Sequence, residues 1–196
     1  MFNTIPAAVL KQMKVLEEID AKDRQDGTPK IKRLRQVPPD SGKVLAFLAA
    51  GVPKGAWLEI GTSAGYSALW LSLAARQRGA KLITFELLPD KVKLAKDTFK
   101  KAAVGDVVEL VHGDARGHIR DYAEVSFCFL DCEKEMYLDF FELITPNLIP
   151  GALLVADNAI NHADNIQVML DKAFADPSLD SVIIPVGKGL LACRKN

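Results

Sequence analysis

From Ala56 onward, short apolar runs alternate with segments of helical periodicity, and this alternation is the strongest constraint on the fold. The runs are Ala56–Ile60, Lys81–Glu86, Val107–His112, Ser126–Asp131 and Ala152–Asp157, and the helical stretches between them are Tyr66–Gln77, Pro89–Ala102 and Met136–Leu148, with only a short turn after Asp114. Runs this short suit buried strands and not independent helices. Strands that alternate with helices bury all their apolar faces when they form a parallel sheet covered by helices on both sides. A further helix, Asn165–Ala175, leads into two last runs, Ser181–Val186 and Leu190–Arg194, separated only by Gly187 to Gly189, which predicts an antiparallel hairpin. The expected fold class is α/β: a mostly parallel seven-stranded sheet with a C-terminal antiparallel hairpin. That hairpin sets it apart from a plain dinucleotide-binding sheet.

The N-terminal part is of another kind. Leu10, Met13, Leu16 and Ile19 recur at helical spacing within Ile5–Gln25, behind Thr4 as a cap, and a polar segment through Gly27, Pro29, Pro38 and Pro39 follows. Ser41 is then placed to cap a short helix, Gly42–Ala50, ended by Gly51. Residues 1–50 therefore read as a helical extension and 51–196 as a core, together one domain, which suits a chain of 196 residues.

Twenty-five Lys and Arg balance twenty-five Asp and Glu, so no net field favours nucleic acid or an anionic membrane, and such a partner would need a local patch. No basic leader followed by an apolar run opens the chain, and no stretch approaches the roughly 18 apolar residues of a membrane span. A cytoplasmic protein is expected. Cys128, Cys132 and Cys193 are odd in number and form no CxxC pair, which suggests buried thiols and neither disulfides nor a zinc knuckle.

Ligands of open α/β sheets lie beyond the carboxyl ends of the strands, where strand order reverses. The residues at those ends are polar. The first strand runs into Glu59-Ile60-Gly61-Thr62-Ser63-Ala64-Gly65-Tyr66-Ser67, whose glycines permit a tight turn and close backbone approach to a ligand. The second ends at Glu86, beside Leu87 and twenty-one positions beyond Gly65, where a carboxylate accepts both hydroxyls of a ribose. The middle glycine of a GxGxxG loop is lacking, which disfavours a nicotinamide dinucleotide. After the third strand comes Gly113-Asp114-Ala115, where Asp114 suits the exocyclic amine of an adenine, although an Asp there is also a common helix cap.

Together these segments, ExGxxxGYS, the ribose glutamate and GDA, resemble the S-adenosylmethionine (SAM) site of the catechol and caffeoyl-CoA O-methyltransferase superfamily. The resemblance runs from about Pro38 to the C-terminus. It implies a Rossmann-like class I methyltransferase fold and a cofactor site at Glu59, Gly61, Thr62, Ser63, Gly65, Tyr66, Ser67, Glu86, Leu87, Gly113, Asp114, Ala115 and Asp131.

The fourth strand ends at Asp131-Cys132-Glu133-Lys134-Glu135-Met136-Tyr137 and the fifth at Asp157-Asn158. Adjacent parallel strands would bring Asp131, Asp157 and Asn158 to one rim as three oxygen donors suited to Mg²⁺, Mn²⁺ or Ca²⁺. Lys134 can point to the same spot. A catechol or vicinal diol chelating such an ion would have a more acidic hydroxyl. A free lysine titrates near ~10.4, but a nearby cation and burial lower that value, which makes Lys134 the candidate general base. DxxKxxY followed by DN resembles the metal and catalytic signature of the same enzymes, kept here in Asp131, Lys134, Tyr137, Asp157 and Asn158. The chain departs from the pattern at Cys132, in the short segment Ala159–Asn165, and at Lys188, where the closing hairpin often carries Asp.

The resemblance implies a SAM-dependent, divalent-metal-assisted enzyme acting on a small-molecule hydroxyl, and dimers among similar enzymes imply a homodimer. A tRNA 5-hydroxyuridine methyltransferase, with Lys30, Lys32, Arg33 and Arg35 meeting phosphate, is one alternative. A SAM-binding protein without catalysis is another.

Overall fold

The structure, a computed structural model, describes residues Met1–Asn196. Seven strands form one sheet: β1 (Ala56–Ile60), β2 (Leu82–Glu86), β3 (Val108–His112), β4 (Val125–Leu130), β5 (Leu148–Ala156), β6 (Leu179–Ile184) and β7 (Leu190–Lys195). Their spatial order is β3-β2-β1-β4-β5-β7-β6. The first five pair in parallel, and β7 runs antiparallel to both β5 and β6. Six helices accompany them: α1 (Ala7–Asp23), α2 (Pro39–Ala50), α3 (Tyr66–Arg78), α4 (Pro89–Ala102), α5 (Tyr137–Ile144) and α6 (Ala163–Ala175). This is the expected α/β arrangement. No helix is long and apolar enough to cross a membrane.

The central strand shows why the run is apolar throughout. All six residues of β4 are buried, because helices cover both faces of a parallel sheet. Phe127 and Phe129 enter the core shared with α1 to α4, whereas Cys128 and Leu130 enter the core shared with α5 and α6. That period of two is the pleat of a strand. Helix α3 is buried along Tyr66–Ala75, since it lies between the sheet and the N-terminal helices. The extension thus contributes Val9, Met13, Leu16, Leu45, Ala46 and Ala49 to the same core as Trp57 and Phe127.

Four local expectations need correction. The helix expected over Met136–Leu148 ends at Ile144; a 3-10 turn follows at Thr145–Asn147, where Pro146 cannot donate a helical hydrogen bond. Strand β5 then begins at Leu148 and not at Ala152. Its Pro150 and Gly151 are absorbed where the register with β4 jumps from Val125↔Leu148 to Phe127↔Leu153, an irregularity that tolerates both residue types. Thr4 belongs to a 3-10 turn and caps nothing, while Pro6 precedes α1. Helix α2 starts at Pro39, which is preorganised for a first helical position and leaves Ser41 buried inside the helix.

Phe127 is fully buried, and its ring centroid is 5.7 Å from that of Trp57. Phe127→Ala is expected to cost about 3–5 kcal/mol of unfolding free energy, read as a lowered urea midpoint; a loss below about 1 kcal/mol would contradict this account of the core.

Candidate active site

Strand order reverses between β1 and β4, and the loops at their carboxyl ends open the principal cavity of the molecule, about 740 Å³ in volume. The loop after β1 is suspended from the neighbouring strand: Gly61 and Thr62 both donate backbone N–H to Phe85 O at 3.1 Å. Gly61 has φ 101°, and a Cβ there would lie 2.2 Å from Asp131 O. Only glycine lets the loops after β1 and β4 approach so closely. Ser63, itself in a left-handed conformation at φ 48°, donates its N–H to Glu86 Oε2 at 2.7 Å, and Leu88 N donates to Glu86 Oε1 at 2.9 Å. The Glu86 carboxylate is thereby fixed with lone pairs left toward the cavity, which it lines together with Leu87, Thr62 and Ser67.

Two residues of the expected cofactor set do not line this cavity. Glu59 lies beneath the loop, wholly buried, where Thr84 Oγ1 donates to its Oε2 at 2.5 Å and shares a 2.6 Å hydrogen bond with Thr62 Oγ1. Burial pushes the Glu59 carboxyl up to about 7, against the pull of the Ser67 and Thr84 hydroxyls. Gly65, at φ 92°, turns the chain into α3 above the Phe99 ring. Tyr66 does line the cavity, and its hydroxyl donates to Glu17 Oε1 of α1 at 2.6 Å.

After β3, Gly113 N–H donates to Glu86 O at 2.9 Å, and Ala115 is buried at the start of a 3-10 turn. Asp114 caps that turn through Arg116 N, and the Arg116 guanidinium also holds its carboxylate. That pairing holds the carboxyl below the usual carboxylate range. An adenine amine at this position would share Asp114 with Arg116.

The ends of β4 and β5 meet as expected. Asp131 N–H donates to Ile60 O and Asp157 N–H to Leu130 O, each at 3.0 Å, so each residue extends the ladder by one step and is held in register with its neighbour. Asn158, in a left-handed conformation at φ 69°, directs its amide nitrogen to Asp157 Oδ2 at 2.9 Å and Asp131 Oδ1 at 3.2 Å. Amide O and N differ only by a half-turn about the last torsion, so this side chain can equally present its oxygen to the point both carboxylates face. Asp157 is fully buried, yet its Oδ1 has no hydrogen-bond partner. Burial, then the Asp131 charge, raise its pKa above the usual range, with Lys188 opposing. An unpartnered buried carboxylate oxygen beside a second carboxylate and an amide fits a hard divalent cation. No group of three or more His, Cys, Asp or Glu side chains forms there, so a cation at this rim would need the Asn158 amide as its third donor.

The Lys134 ammonium donates to Tyr137 Oη at 2.7 Å and to Cys132 O at 3.1 Å, and lies 3.4 Å from Asp131 Oδ1. Burial, then the Asp131 charge, push the Tyr137 phenol well above its ordinary range, so it stays neutral and can orient Lys134. Cys132 borders the cavity, and its thiol is pushed up to about 12, chiefly by burial.

Several contacts in the cavity wall carried no recognisable signal in the sequence. Arg35 reaches Glu133 Oε1 at 2.5 Å across 98 positions. Lys91 Nζ donates to the carbonyls of Lys32 and Arg33 at 3.1 and 2.6 Å. With Leu34 N–H bonded to Asp23 Oδ2 and Ser63 Oγ to Leu34 O, these contacts fold the polar segment before α2 into one wall of the cavity. His162 also lines the cavity.

Glu59 yields a pH prediction. A carboxyl titrating near 7 when folded, against an ordinary 4.5, binds its proton more tightly in the native state. Its contribution is intact below about pH 4.5, falls as pH rises through 7, and reaches a cost of about 3 kcal/mol above that. Glu59→Gln is expected to raise the melting temperature at pH 8 and to leave it nearly unchanged at pH 4.5. An equal shift at both pH values would refute the assignment.

Residues 8–196 match the O-methyltransferase family. The chain is 30% identical over 148 residues to a catechol O-methyltransferase of Niastella koreensis, an alignment covering 73% of this chain and 65% of that protein. It is 33% identical over 121 residues to a catechol O-methyltransferase of Mycobacterium tuberculosis, covering 61% and 54%. The chain thus spans less than two thirds of the length of these two relatives. Among solved structures, the O-methyltransferase of Bacillus cereus in complex with SAH superposes with a TM-score of 0.77 at 21% identity, covering 95% of this chain and 91% of that one. By sequence over nearly its whole length, this chain belongs to the O-methyltransferase family.

Proposed function

We propose that the chain transfers a methyl group from SAM to a hydroxyl of a catechol-like or vicinal-diol small molecule, assisted by a divalent cation. The observation that carries the reading is the convergence of Asp131, Asp157 and Asn158 with Lys134 at the rim of a cavity whose other wall is the Gly61–Ser67 loop and Glu86. The names of the catechol O-methyltransferase relatives point to the same acceptor class.

In this reading Glu86 accepts the ribose hydroxyls, and the backbone of the Gly61–Ser67 loop receives the methionine portion. SAM supplies an electrophilic methyl on a sulfonium, so the protein's task is to align the acceptor oxygen with the methyl carbon and sulfur. Asp131, Asp157 and Asn158 would hold the cation, which when bound would acidify the acceptor hydroxyl and fix its orientation. Lys134, in its neutral form, takes the hydroxyl proton, while Tyr137 Oη and Cys132 O hold its nitrogen in place. The new bond joins acceptor oxygen to methyl carbon, and the carbon–sulfur bond breaks to leave a neutral thioether. The segment from Leu34 to Val37 forms one wall beside the reacting atoms.

A tRNA acceptor draws less support. Arg33 donates to Thr28 O and Arg35 pairs with Glu133, so half of the basic run is engaged within the cavity wall.

The test is S-adenosylhomocysteine release from SAM with catechols and hydroxycinnamates, with Mg²⁺ and again with EDTA. Metal-dependent turnover is expected, and release with tRNA alone would overturn the acceptor class. Lys134→Ala should lower turnover about 10²–10⁴-fold with SAM affinity retained; turnover near the parent level would remove Lys134 from the base role. Gly61→Ala should abolish SAM binding in equilibrium dialysis, because the added Cβ collides with the Asp131 carbonyl; parental affinity would count against the loop as the methionine site.

A further inference from the structure

The turn between β6 and β7 brings a cation to the carboxylate pair. Lys188 Nζ lies 3.8 Å from Asp157 Oδ2, and its side chain, 23% exposed, borders the same cavity. The backbone that carries it is fixed to the segment after Asn158. Ala159 N–H donates to Gly189 O at 2.9 Å, and Ile160 and Asn161 N–H both donate to Lys188 O, at 3.1 and 3.2 Å. Gly189, at φ 87°, leaves no room for a side chain, since a Cβ would lie 2.7 Å from Ile160 N. The turn is therefore seated, and the freedom that remains belongs to the lysine side chain.

The charges at the rim then balance without any ion. Asp131 and Asp157 contribute two negative charges, and Lys134 and Lys188 contribute two positive ones. A divalent cation added to this set leaves an excess of positive charge in a partly buried site, two charges with Lys134 protonated and one with it neutral, and Lys188 is directed at one of the ligands. Like charges in such a setting repel far more strongly than in water. The ion would have to bind against the Lys188 charge or drive that side chain away from Asp157.

We propose that Lys188 is a tethered cation that competes with the divalent ion for Asp157, weakening metal binding and supplying positive charge beside the acceptor when no ion is bound. This inference rests on the metal assignment made above. It distinguishes Lys188 from Lys134, which is held away from Asp157 by Tyr137 and the Cys132 carbonyl.

The experiment is a Mn²⁺ titration of the full chain, with free Mn²⁺ followed by electron paramagnetic resonance, for the parent and for Lys188→Met, Lys188→Gln and Lys188→Arg. The Met and Gln variants are expected to bind at least about tenfold more tightly than the parent, while the Arg variant, which keeps the charge, stays within about twofold of it. Melting temperatures with and without Mn²⁺ give a second readout. Removing the ammonium leaves Asp157 uncompensated, so the Met and Gln variants should melt lower than the parent without Mn²⁺ and recover more of that loss when it is added. Equal affinities in parent, Met and Gln variants would overturn the role of Lys188 and leave the metal site intact. Absence of Mn²⁺ binding in all four chains would remove the metal assignment and this inference together.

Discussion

The whole site depends on the parallel pairing of β1, β4 and β5 being carried one residue beyond the strands. Asp131 bonds back to Ile60, and Asp157 bonds back to Leu130. Each bond is an ordinary ladder bond, but it sets the height at which a carboxylate leaves the sheet. Because neighbouring strands lie roughly 5 Å apart, two side chains at the same height on β4 and β5 must meet. The chemistry of the rim is thus a consequence of backbone register, and the helices exist in part to keep that register buried on both faces.

This dependence also explains which candidate site residues can be read from the chain alone. Glu86, Asp131, Asp157 and Asn158 each follow an apolar run directly, so placing the strand places the residue. Lys134 and Tyr137 follow Asp131 at fixed short spacing. Residues brought in by tertiary contact leave no such trace. Arg35 and Glu133 are 98 positions apart, and Lys91 is anchored to backbone carbonyls, which any sequence supplies. Glu59 was legible as a residue but not as a role. The pleat sends it to the same face as Trp57, beneath the loop, where its carboxylate supports Thr84 and Thr62 and does not face the cavity. The start of β5 was obscured because Pro150 and Gly151 look like a turn, and only pairing to β4 reveals an irregular strand.

The N-terminal segment changes what kind of cavity the core encloses. Helices α1 and α2 read as additions, yet they complete the core over α3, and the polar stretch between them closes one side of the site. Its anchors come from four places: Asp23 in α1, Ser63 in the loop after β1, Lys91 in α4 and Glu133 after β4. Two of those anchors, Ser63 and Glu133, belong to the loops after β1 and β4 that line the cavity.

Burial of Asp157 sets the final constraint. A carboxylate with no exposed surface is costly unless a positive charge or a proton accompanies it, and here one of its oxygens has no partner at all. Three things can relieve that cost: protonation, the Lys188 ammonium, or a divalent ion between Asp157, Asp131 and Asn158. Only the last would also polarise an incoming hydroxyl. In the proposed reaction that same unsatisfied oxygen would be a ligand of the cation. Lys188 is near enough to compensate the Asp157 charge in part and too distant, at 3.8 Å, to form a direct hydrogen bond with it.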